Sequence, residues 1–396
     1  MEYRFELPTK MIIGEGCSKQ LGENVKLTGA KHVLCVFDKG VEGAGLVAPL
    51  IADMETAGLK VTPFNGVLPD PPMEVIDQCT ELAREAKPDV FVAVGGGSSI
   101  DTAKAVNANL SNPGTLRDHA INLNGLKVFP FENPLKPFFA LPTTAGTGSE
   151  VSPSAVVTDH EAKLKVSVMA PDLVPTMAII DPALTVGLPV NVTASTGLDA
   201  FAHAMEGLMG GLAIFTPSPM RDSFAFTAIE LVLESLLPAM KNGKDIKART
   251  DMSYAAFMSI LGAGGGLSMG HCLGHAMGEV CGIHNHGFLC ASILPYNIEF
   301  MAELIPQKLN KLASLFKIDP NGKSVAQIGT AIKLAIQAFY KDCGIPPLKD
   351  MGLNLSDTEE IIHHTTSGTW YLLASKKPSE EELTRWIQAV YEGGNT

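Results

Sequence analysis

The order of apolar and polar positions divides the chain into two parts. Before residue 190, short apolar runs alternate with amphipathic segments, which predicts strands alternating with helices and a parallel, doubly wound sheet. The strands predicted there are 32–37, 59–64, 89–94, 138–141 and 177–180. After residue 192 the apolar positions recur at helical spacing. The helices predicted there are 193–209, 221–240, 247–262, 267–280, 288–303, 306–315, 324–342, 356–366 and 379–392.

This change of pattern predicts an α/β domain over residues 1–186 and an all-helical domain over residues 187–396, since 396 residues are too many for one ordinary core. The net charge of −12 argues against nucleic acid or an anionic membrane surface as a general partner. Seven cysteines without a repeated spacing favour reduced thiols. No signal-peptide pattern and no membrane-spanning apolar stretch is evident, so we expect a cytoplasmic protein.

A run of three glycines, 95–97, follows the apolar strand 89–94 and opens a helix. Glycine allows close backbone approach to a ligand, and the N–H groups at a helix N-terminus favour phosphate. Ser98 or Ser99 is expected to cap this helix. The pattern is neither a Walker loop nor GxGxxG, and a tight turn without a ligand is the alternative.

Asp38 ends the first strong strand. In a dinucleotide fold, a carboxylate at this place accepts hydrogen bonds from the adenosine ribose and repels a 2′-phosphate, which favours NAD over NADP. The alternative is an aspartate that caps the next helix. The loop at 142–150, PTTAGTGSE, follows another strand and offers hydroxyl and N–H donors to a polar ligand.

The richest chemistry lies between residues 196 and 287. Asp199 and His203 are four residues apart, as are His271 and His275, so on helices each pair shares one face. His284 and His286 follow shortly after. Carboxylate and imidazole together suit Zn(II) or Fe(II), so we predict a metal site built from two helices. A single histidine of this kind could equally be a core or surface residue, and spacing alone leaves the ligand set open.

Five motifs in order resemble the iron-containing (group III) alcohol dehydrogenase family over nearly the full length of the chain. They are GGGSSIDTAK (95–104), LPTTAGTGSE (141–150), IIDPALT (179–185), TGLDAFAHAMEG (196–207) and the histidine run at 271–287. The resemblance implies an N-terminal NAD-binding α/β domain and a C-terminal all-α metal-binding domain. It also implies NAD(H), one divalent ion, Fe(II) or Zn(II), and a homodimer or larger homo-oligomer.

The resemblance also implies roles for single residues. The metal ligands would be Asp199, His203, His271 and His286, and His275 would be a catalytic residue near the nicotinamide. The cofactor-binding residues would be Asp38, Gly96, Gly97, Ser98, Asp101, Thr143, Thr144 and Lys165.

The chain departs from the family pattern at a few positions. One extra residue between His271 and His286 makes His284 an alternative ligand. Gly262 is small where relatives carry a larger pocket-lining group, and Arg221 is an unusual basic residue. Together they suggest a widened substrate pocket that admits an anionic aldehyde; the alternative for Arg221 is an exposed arginine at a helix start.

The predicted function is the NAD(H)- and metal-dependent interconversion of a small primary alcohol and its aldehyde. A sulfonated or phosphonated aldehyde is the more specific hypothesis. Three alternatives remain open from the sequence: glycerol dehydrogenase-like polyol oxidation, a dehydroquinate synthase-like cyclase, and a non-enzymatic metal- or nucleotide-binding protein.

Overall fold

The computed structural model describes residues 7–121, 131–162, 164–211, 214, 217–264 and 266–393. The chain forms two compact units, Met1–Pro189 with Asn242–Ser253, and Val190–Lys241 with Tyr254–Thr396. The segment 242–253 thus belongs to the first unit, although a single cut at 186/187 would assign it to the second. Its Arg249 side chain is buried there, and its Nε donates to the carbonyl oxygen of Gly243 at 3.0 Å.

The described residues of the first unit form eight strands, six of which make a parallel sheet. In chain order the strands are β1 (Lys10–Ile13), β2 (His32–Asp38), β3 (Lys60–Val67), β4 (Val90–Gly95), β5 (Phe138–Pro142), β6 (Ser154–Asp159), β7 (Leu164–Met169) and β8 (Met177–Ile180). The sheet order is β1-β8-β5-β4-β2-β3, and β6 and β7 form a separate antiparallel hairpin. The five predicted strands are confirmed, whereas the sequence pattern did not indicate β1 or the hairpin.

Helices cover both faces of this sheet. They are α1 (Leu21–Lys26), α2 (Lys39–Gly43), α3 (Val47–Thr56), α4 (Met73–Ala86), α5 (Gly97–Ser111) and α6 (Leu116–His119). Alternate residues of β4 enter different cores, because Phe91 and Ala93 join one apolar cluster and Val92 and Val94 join the other. This burial on both faces explains why β4 reads as a continuous apolar run.

The chain reverses its direction of travel across the sheet at β2. From β2 it passes to β3 on one side and then returns to β4 on the other side. The carboxyl ends of β2 and β4 therefore flank a topological switch point, which is where doubly wound sheets bind ligands. Asp38 and Gly95 stand at these two ends.

The second unit is helical in its described residues. The helices that follow the sheet are α7 (Val190–Met209), α8 (Pro219–Lys241), α9 (Ile246–Ala263), α10 (Met269–Cys281), α11 (His286–Met301), α12 (Pro306–Leu315), α13 (Val325–Cys343), α14 (Thr358–Ser367), α15 (Thr369–Leu373) and α16 (Glu380–Tyr391). The first residues of α9, up to Ser253, belong to the first unit, and the rest of α9 belongs to the second. All nine predicted helices are confirmed, with ends that differ by three residues or fewer. The Ser379–Glu382 capping box at the start of α16 is also present.

The sequence analysis found no stretch apolar enough to span a membrane, but one helix meets the length and composition criterion. Pro219–Lys241 contains an 18-residue window with a mean hydropathy of 1.4, long and apolar enough by composition to cross a bilayer. Its residues Ala225, Ile229 and Val232 are fully buried within the helical unit. A core helix of a soluble protein satisfies the same criterion, so this helix is weak evidence for a membrane span.

Candidate metal centre and cofactor turn

Helix α7 carries three ionisable side chains on one buried face. Asp199, His203 and Glu206 are spaced by four and three residues, so they lie one above another along the helix. They are 3%, 6% and 0% exposed. The Nδ1 atom of His203 lies 3.9 Å from Oδ2 of Asp199. Burying such groups is costly unless they are paired or bind a metal, so this face requires partners from other helices.

Helices α10 and α11 supply those partners. The Nε2 atoms of His271 and His286 lie 3.6 Å and 3.5 Å from Oδ1 of Asp199. Ligand atoms of these three residues and of Cys290 all lie within 4.8 Å of one another. Oδ1 of Asp199 and Nε2 of His271 are buried and have no hydrogen-bond partner within the described part of the chain. A carboxylate and imidazoles arranged in this way fit a divalent cation.

The ionisable groups of this cluster shift one another's pKa values. Burial raises the pKa of Asp199, but the neighbouring His203, His286 and His271 lower it more, so the net pKa lies well below its usual range. Burial lowers the pKa of His271, yet Cys290 and Glu206 raise it well above the ordinary value. The carboxylate is therefore ionised at neutral pH, and its negative charge faces the imidazole nitrogens.

Glu206 is a buried carboxylate beside the ligand group that the sequence analysis missed. Its carboxylate accepts hydrogen bonds from the backbone N–H of Gly270 at 2.5 Å and of His271 at 3.2 Å. It also contacts Nδ1 of the His271 ring. A proton held on Nδ1 leaves Nε2, on the side of Asp199, as the lone-pair donor. The sequence contained the information needed to find Glu206, because it follows Asp199 by seven residues and therefore shares its helix face.

Helix α11 begins in close contact with α7. A Cβ atom on Gly287 would lie 1.9 Å from the carbonyl oxygen of Ser195, so only glycine fits there. Asn285 caps α11 by accepting a hydrogen bond from the N–H of Phe288, and the Ser195 hydroxyl donates to the same Asn285 oxygen. Since Ser195 precedes Asp199 by one helical turn, this contact sets the position of His286 relative to Asp199.

The remaining histidines occupy distinct places. His284 is exposed in the turn between α10 and α11, outside the ligand group. His203 lies against His271 with 4.5 Å between the ring centroids. His275 is half-buried, with its ring centroid 5.8 Å from that of His271 and 5.0 Å from that of His286. The geometry therefore favours His286 over His284 and places His275 beside the ligand group rather than in it.

The contacts of Gly262 do not support a role in widening a pocket. A Cβ atom there would lie 2.8 Å from the backbone nitrogen and from Cβ of Ala225. A Cβ on Gly207 would in turn lie 2.8 Å from the Gly262 backbone. Because Gly262 has no side chain, α7, α8 and α9 can cross closely at this point. Arg221 is half-buried near the start of α8, and its Cδ would lie 3.9 Å from a Cβ on Gly264.

In the first unit, the glycine turn at the end of β4 meets the loop after β5. A Cβ on Gly96 would lie 3.1 Å from Oγ1 of Thr144, and one on Gly97 would lie 2.8 Å from Cγ2 of Thr147. The N–H of Thr143 donates to the carbonyl oxygen of Gly95 at 3.0 Å. The two loops predicted to bind the cofactor are therefore adjacent, and glycine is required for the approach.

The capping prediction for this turn is wrong. The N-cap of α5 is Gly96, without a side-chain cap, and both Ser98 and Ser99 lie inside the helix. The helix thus begins directly after a glycine turn, and no side chain caps its first N–H groups. This arrangement is typical of phosphate-binding helix N-termini.

Asp38 has a demonstrable structural role. Its Oδ1 accepts hydrogen bonds from the N–H groups of Gly40 at 2.7 Å and Val41 at 3.0 Å, so it caps α2. Its Oδ2 faces the glycine turn, 3.5 Å from the position of a Cβ on Gly95. The alternative that Asp38 caps a helix is therefore correct for Oδ1. A contact of Oδ2 with the adenosine ribose stays a prediction.

Lys165, on β7, donates a hydrogen bond to Asp70 at 2.6 Å.

Asp101 belongs to a buried charged cluster beneath the loop. One of its oxygens accepts from the Ser149 hydroxyl and the other from the N–H of Val156 at 3.0 Å. The Lys104 Nζ atom lies within 3.1 Å of five oxygens of Ser149, Ser152 and Ser154, which share its three N–H groups. Burial lowers the pKa of Lys104 to about 8. These contacts give Asp101 and Lys104 a role in holding the loop, and a direct cofactor contact of Asp101 stays a prediction.

Comparison with known proteins identifies the chain. Residues 8–182 match the family model described as iron-containing alcohol dehydrogenase, and residues 193–391 match the C-terminal model of the same family. The choline dehydrogenase of Bacillus subtilis is 34% identical over 360 residues, 91% of this chain and 88% of that protein. The NAD-dependent methanol dehydrogenase of Bacillus methanolicus is 34% identical over 358 residues, 90% of this chain and 91% of that protein.

A solved structure extends this similarity to the fold. The alcohol dehydrogenase from Oenococcus oeni superimposes with a TM-score of 0.91 at 30% sequence identity, covering 98% of this chain and 100% of that one. The class is therefore the alcohol dehydrogenases, which are oxidoreductases, and the non-enzymatic alternative is excluded. Within this class, the chain belongs to the iron-containing alcohol dehydrogenase family, which confirms the resemblance drawn from its motifs.

Proposed function

We propose that this enzyme interconverts a small primary alcohol and its aldehyde, using NAD(H) and one divalent ion, Fe(II) or Zn(II). The observation that supports this most directly is the buried group of Asp199, His271 and His286. Two of its ligand atoms have no hydrogen-bond partner among the described residues, although both are buried. A cation satisfies such atoms, and a hydrogen-bonded core would not leave them so.

The choice of NAD(H) is supported by the first unit. The N-terminus of α5 offers N–H groups to a diphosphate, with Gly96, Gly97 and Ser98 at the turn and Thr143 and Thr144 beside it. Oδ2 of Asp38 lies toward this turn and would repel a 2′-phosphate. The similar enzyme of Bacillus methanolicus is named as NAD-dependent. We assign Lys165 and Asp101 to the surroundings of this cofactor site.

The bound ion would supply Lewis acidity toward the alcohol or aldehyde oxygen, and the nicotinamide would accept or donate the hydride. Asp199, His271 and His286 would hold the ion, and the resemblance adds His203 as a further ligand. Glu206 keeps the proton on Nδ1 of His271, so that Nε2 stays available for ligation. His275, half-buried beside this group, is proposed to carry the hydroxyl proton to solvent.

The test combines metal analysis with turnover. Purified protein is assayed for bound iron and zinc and for NADH oxidation with neutral, hydroxylated, sulfonated and phosphonated small aldehydes. The charged aldehydes are included because Arg221 is basic and half-buried. We expect His271→Ala to lose metal and nearly all turnover while NAD(H) still binds. His284→Ala, which alters an exposed histidine outside the group, is the matched control.

Two results would contradict the proposal. One is the absence of NADH oxidation by metal-loaded protein with every aldehyde of the panel. The other is full activity of His271→Ala in metal-free buffer. Net consumption of NADH also separates this reaction from a cyclase, which regenerates its cofactor. Cytoplasmic location and assembly into a homo-oligomer belong to the same proposal, and size-exclusion chromatography with light scattering tests the assembly.

A further inference from the structure

A stiff loop follows β3 at the carboxyl edge of the sheet. Residues 68–72, LPDPP, include three prolines, and proline fixes its own backbone φ angle. Between the prolines, Asp70 has a φ of 47°, a left-handed conformation that is uncommon for residues other than glycine. Because Val67 pairs with Asp38 at the end of β2, this loop begins beside the topological switch point of the sheet.

The loop is bound to the hairpin formed by β6 and β7. The N–H of Thr158 on β6 donates to the carbonyl oxygen of Pro71 at 2.9 Å. Lys165 stands opposite Thr158 on β7, and its Nζ atom donates to Oδ1 of Asp70 at 2.6 Å. The same hairpin is hydrogen-bonded to α5, the helix that begins at the glycine turn. The ion pair of Asp70 and Lys165 therefore lies at the same edge of the sheet as the glycine turn.

The loop is held in place without this ion pair. Besides its bond to the hairpin, the carbonyl oxygen of Pro72 accepts hydrogen bonds from the N–H groups of Val75 and Ile76 at the start of α4. The side chains of Lys165 and Asp70 are only 12% and 21% exposed, and such an ion pair adds little stability because both charges lose water. The left-handed backbone of Asp70 adds a further cost, which is typical of functional sites. Stability therefore does not account for the pair.

The contact has a direct effect on the lysine. A lysine carries its charge on a flexible stem, so an unrestrained ammonium occupies many positions. The carboxylate of Asp70 restricts the ammonium of Lys165 to one of them, which lowers the entropy lost when a ligand binds there. An ammonium has three N–H donors and no acceptor, which suits the hydroxyl oxygens of a sugar.

We propose that Asp70 is a positioning residue, which holds Lys165 so that its ammonium binds a ribose hydroxyl of NAD(H). The proposal rests on the proposed function, in which Lys165 belongs to the surroundings of the cofactor. It adds Asp70, to which the sequence motifs give no role.

A double-mutant cycle on cofactor binding separates positioning from packing. Asp70→Gly removes the carboxylate and tolerates the left-handed backbone, Asp70→Asn keeps an oxygen acceptor, and Lys165→Met removes the ammonium. Fluorescence titration gives the dissociation constant of NADH for the native enzyme, for each variant, and for the variant that combines Asp70→Gly with Lys165→Met. Asp77→Asn, on the exposed face of α4, is the matched control and should bind NADH like the native enzyme.

The expected changes differ between the backgrounds. Lys165→Met should weaken NADH binding ~10–100-fold, which corresponds to one hydrogen bond from a charged donor. Asp70→Gly should weaken it by roughly 3–10-fold, the effect of releasing one long side chain, and should have no further effect once Lys165 is methionine. Asp70→Asn should recover most of the native affinity. Competition by AMP and by ADP-ribose identifies the ribose, because a loss for AMP indicates the adenosine ribose and a loss for ADP-ribose alone indicates the other one.

The results distinguish this proposal from the proposed reaction. If Asp70→Gly weakens NADH binding equally with and without Lys165, the aspartate acts through packing and the proposal is overturned. An unchanged affinity of Asp70→Gly or of Lys165→Met overturns it as well, even where aldehydes are still reduced. If the coupling is found but no aldehyde of the panel is reduced, the reaction fails while the positioning role stands. Circular dichroism shows whether each variant is folded, and Asp70→Ala repeats the cycle if glycine prevents folding.

Discussion

Replacement of Glu206 by glutamine tests whether a buried carboxylate fixes the ring of His271. The native side chain is fully buried and meets three N–H groups, from the backbone of Gly270 and from the backbone and ring of His271. Glutamine has almost the same volume, so no cavity is created. Its amide group, however, places a donor where the carboxylate accepts, so at least one of these N–H groups loses its partner.

The expected magnitude follows from these contacts. A buried donor left unsatisfied costs about 1–3 kcal/mol, and hydrogen bonds to a charged acceptor are roughly twice as strong as neutral ones. We therefore expect the metal-free helical unit to lose about 2–4 kcal/mol. Partners that orient a metal-bound histidine typically change metal affinity by roughly 10–100-fold, and we expect a loss in this range.

The assay measures metal affinity and stability separately. Competition with a chromogenic chelator gives the affinity for Zn(II) and Fe(II), and urea unfolding of the metal-free protein gives the stability. Glu230→Gln, on the exposed surface of α8, is the matched control and should change neither quantity. If Glu206→Gln binds metal as tightly as the native protein, the carboxylate does not orient His271. If stability falls while affinity is unchanged, Glu206 is a packing residue only.

Three further predictions concern other parts of the molecule. Gly287→Ala should strongly reduce metal content, because its Cβ would lie 1.9 Å from the Ser195 carbonyl oxygen and must displace the start of α11; metal content equal to the native value would show that His286 is held in another way. Lys104→Met should destabilise the first unit by roughly 3–5 kcal/mol and weaken NADH binding, because five oxygens lose a buried cation and Asp101 loses its counter-charge. Urea unfolding measures the stability, and fluorescence titration measures the affinity for NADH. Lys247→Met, which alters an exposed lysine, is the control. Glu150 is buried, and burial raises its pKa from 4.5 to about 7; between these values the folded state holds a proton that the unfolded state has lost, so this group's contribution to stability decreases as pH rises from 4.5 to 7. Glu150→Gln should remove that slope from the pH dependence of the urea midpoint, and an unchanged slope would contradict the assignment.

Local sequence patterns predicted much of this protein. The period of the apolar positions was enough for the helices of the second unit and for the five main strands, because an amphipathic helix or a strand buried on both faces leaves its own signature. The spacing of Asp199 and His203 placed both on one face of a helix. The glycine run after β4 predicted a phosphate-binding turn, because glycines open a helix there. The structure shows a further reason for glycine, since a Cβ at this turn would clash with Thr144 and Thr147.

Some features lay beyond such patterns. The short strand β1 pairs with β8 across the whole length of the first unit, so its structure depends on a distant partner. The contacts of Gly262 could not be predicted from the sequence, because a missing side chain can open a pocket or admit a neighbouring helix, and only the structure shows that Ala225 packs against it. Ser98 and Ser99 were expected to cap a helix in which they actually lie, since helix ends shift by one or two residues without a local signal.

The metal centre shows most clearly which features followed from the sequence and which required the tertiary structure. The sequence by itself determined which helices carry ligand-type residues and which of those residues share a face. Only the tertiary structure favoured His286 over His284, brought Glu206 to the ring of His271 and placed the Cys290 thiol beside the ligand atoms. The physical reason is that these contacts join α7 to the consecutive helices α10 and α11, which lie much later in the chain. Their relative positions are set by close backbone contacts at Gly270, Gly274 and Gly287, which no periodicity within a single helix can encode.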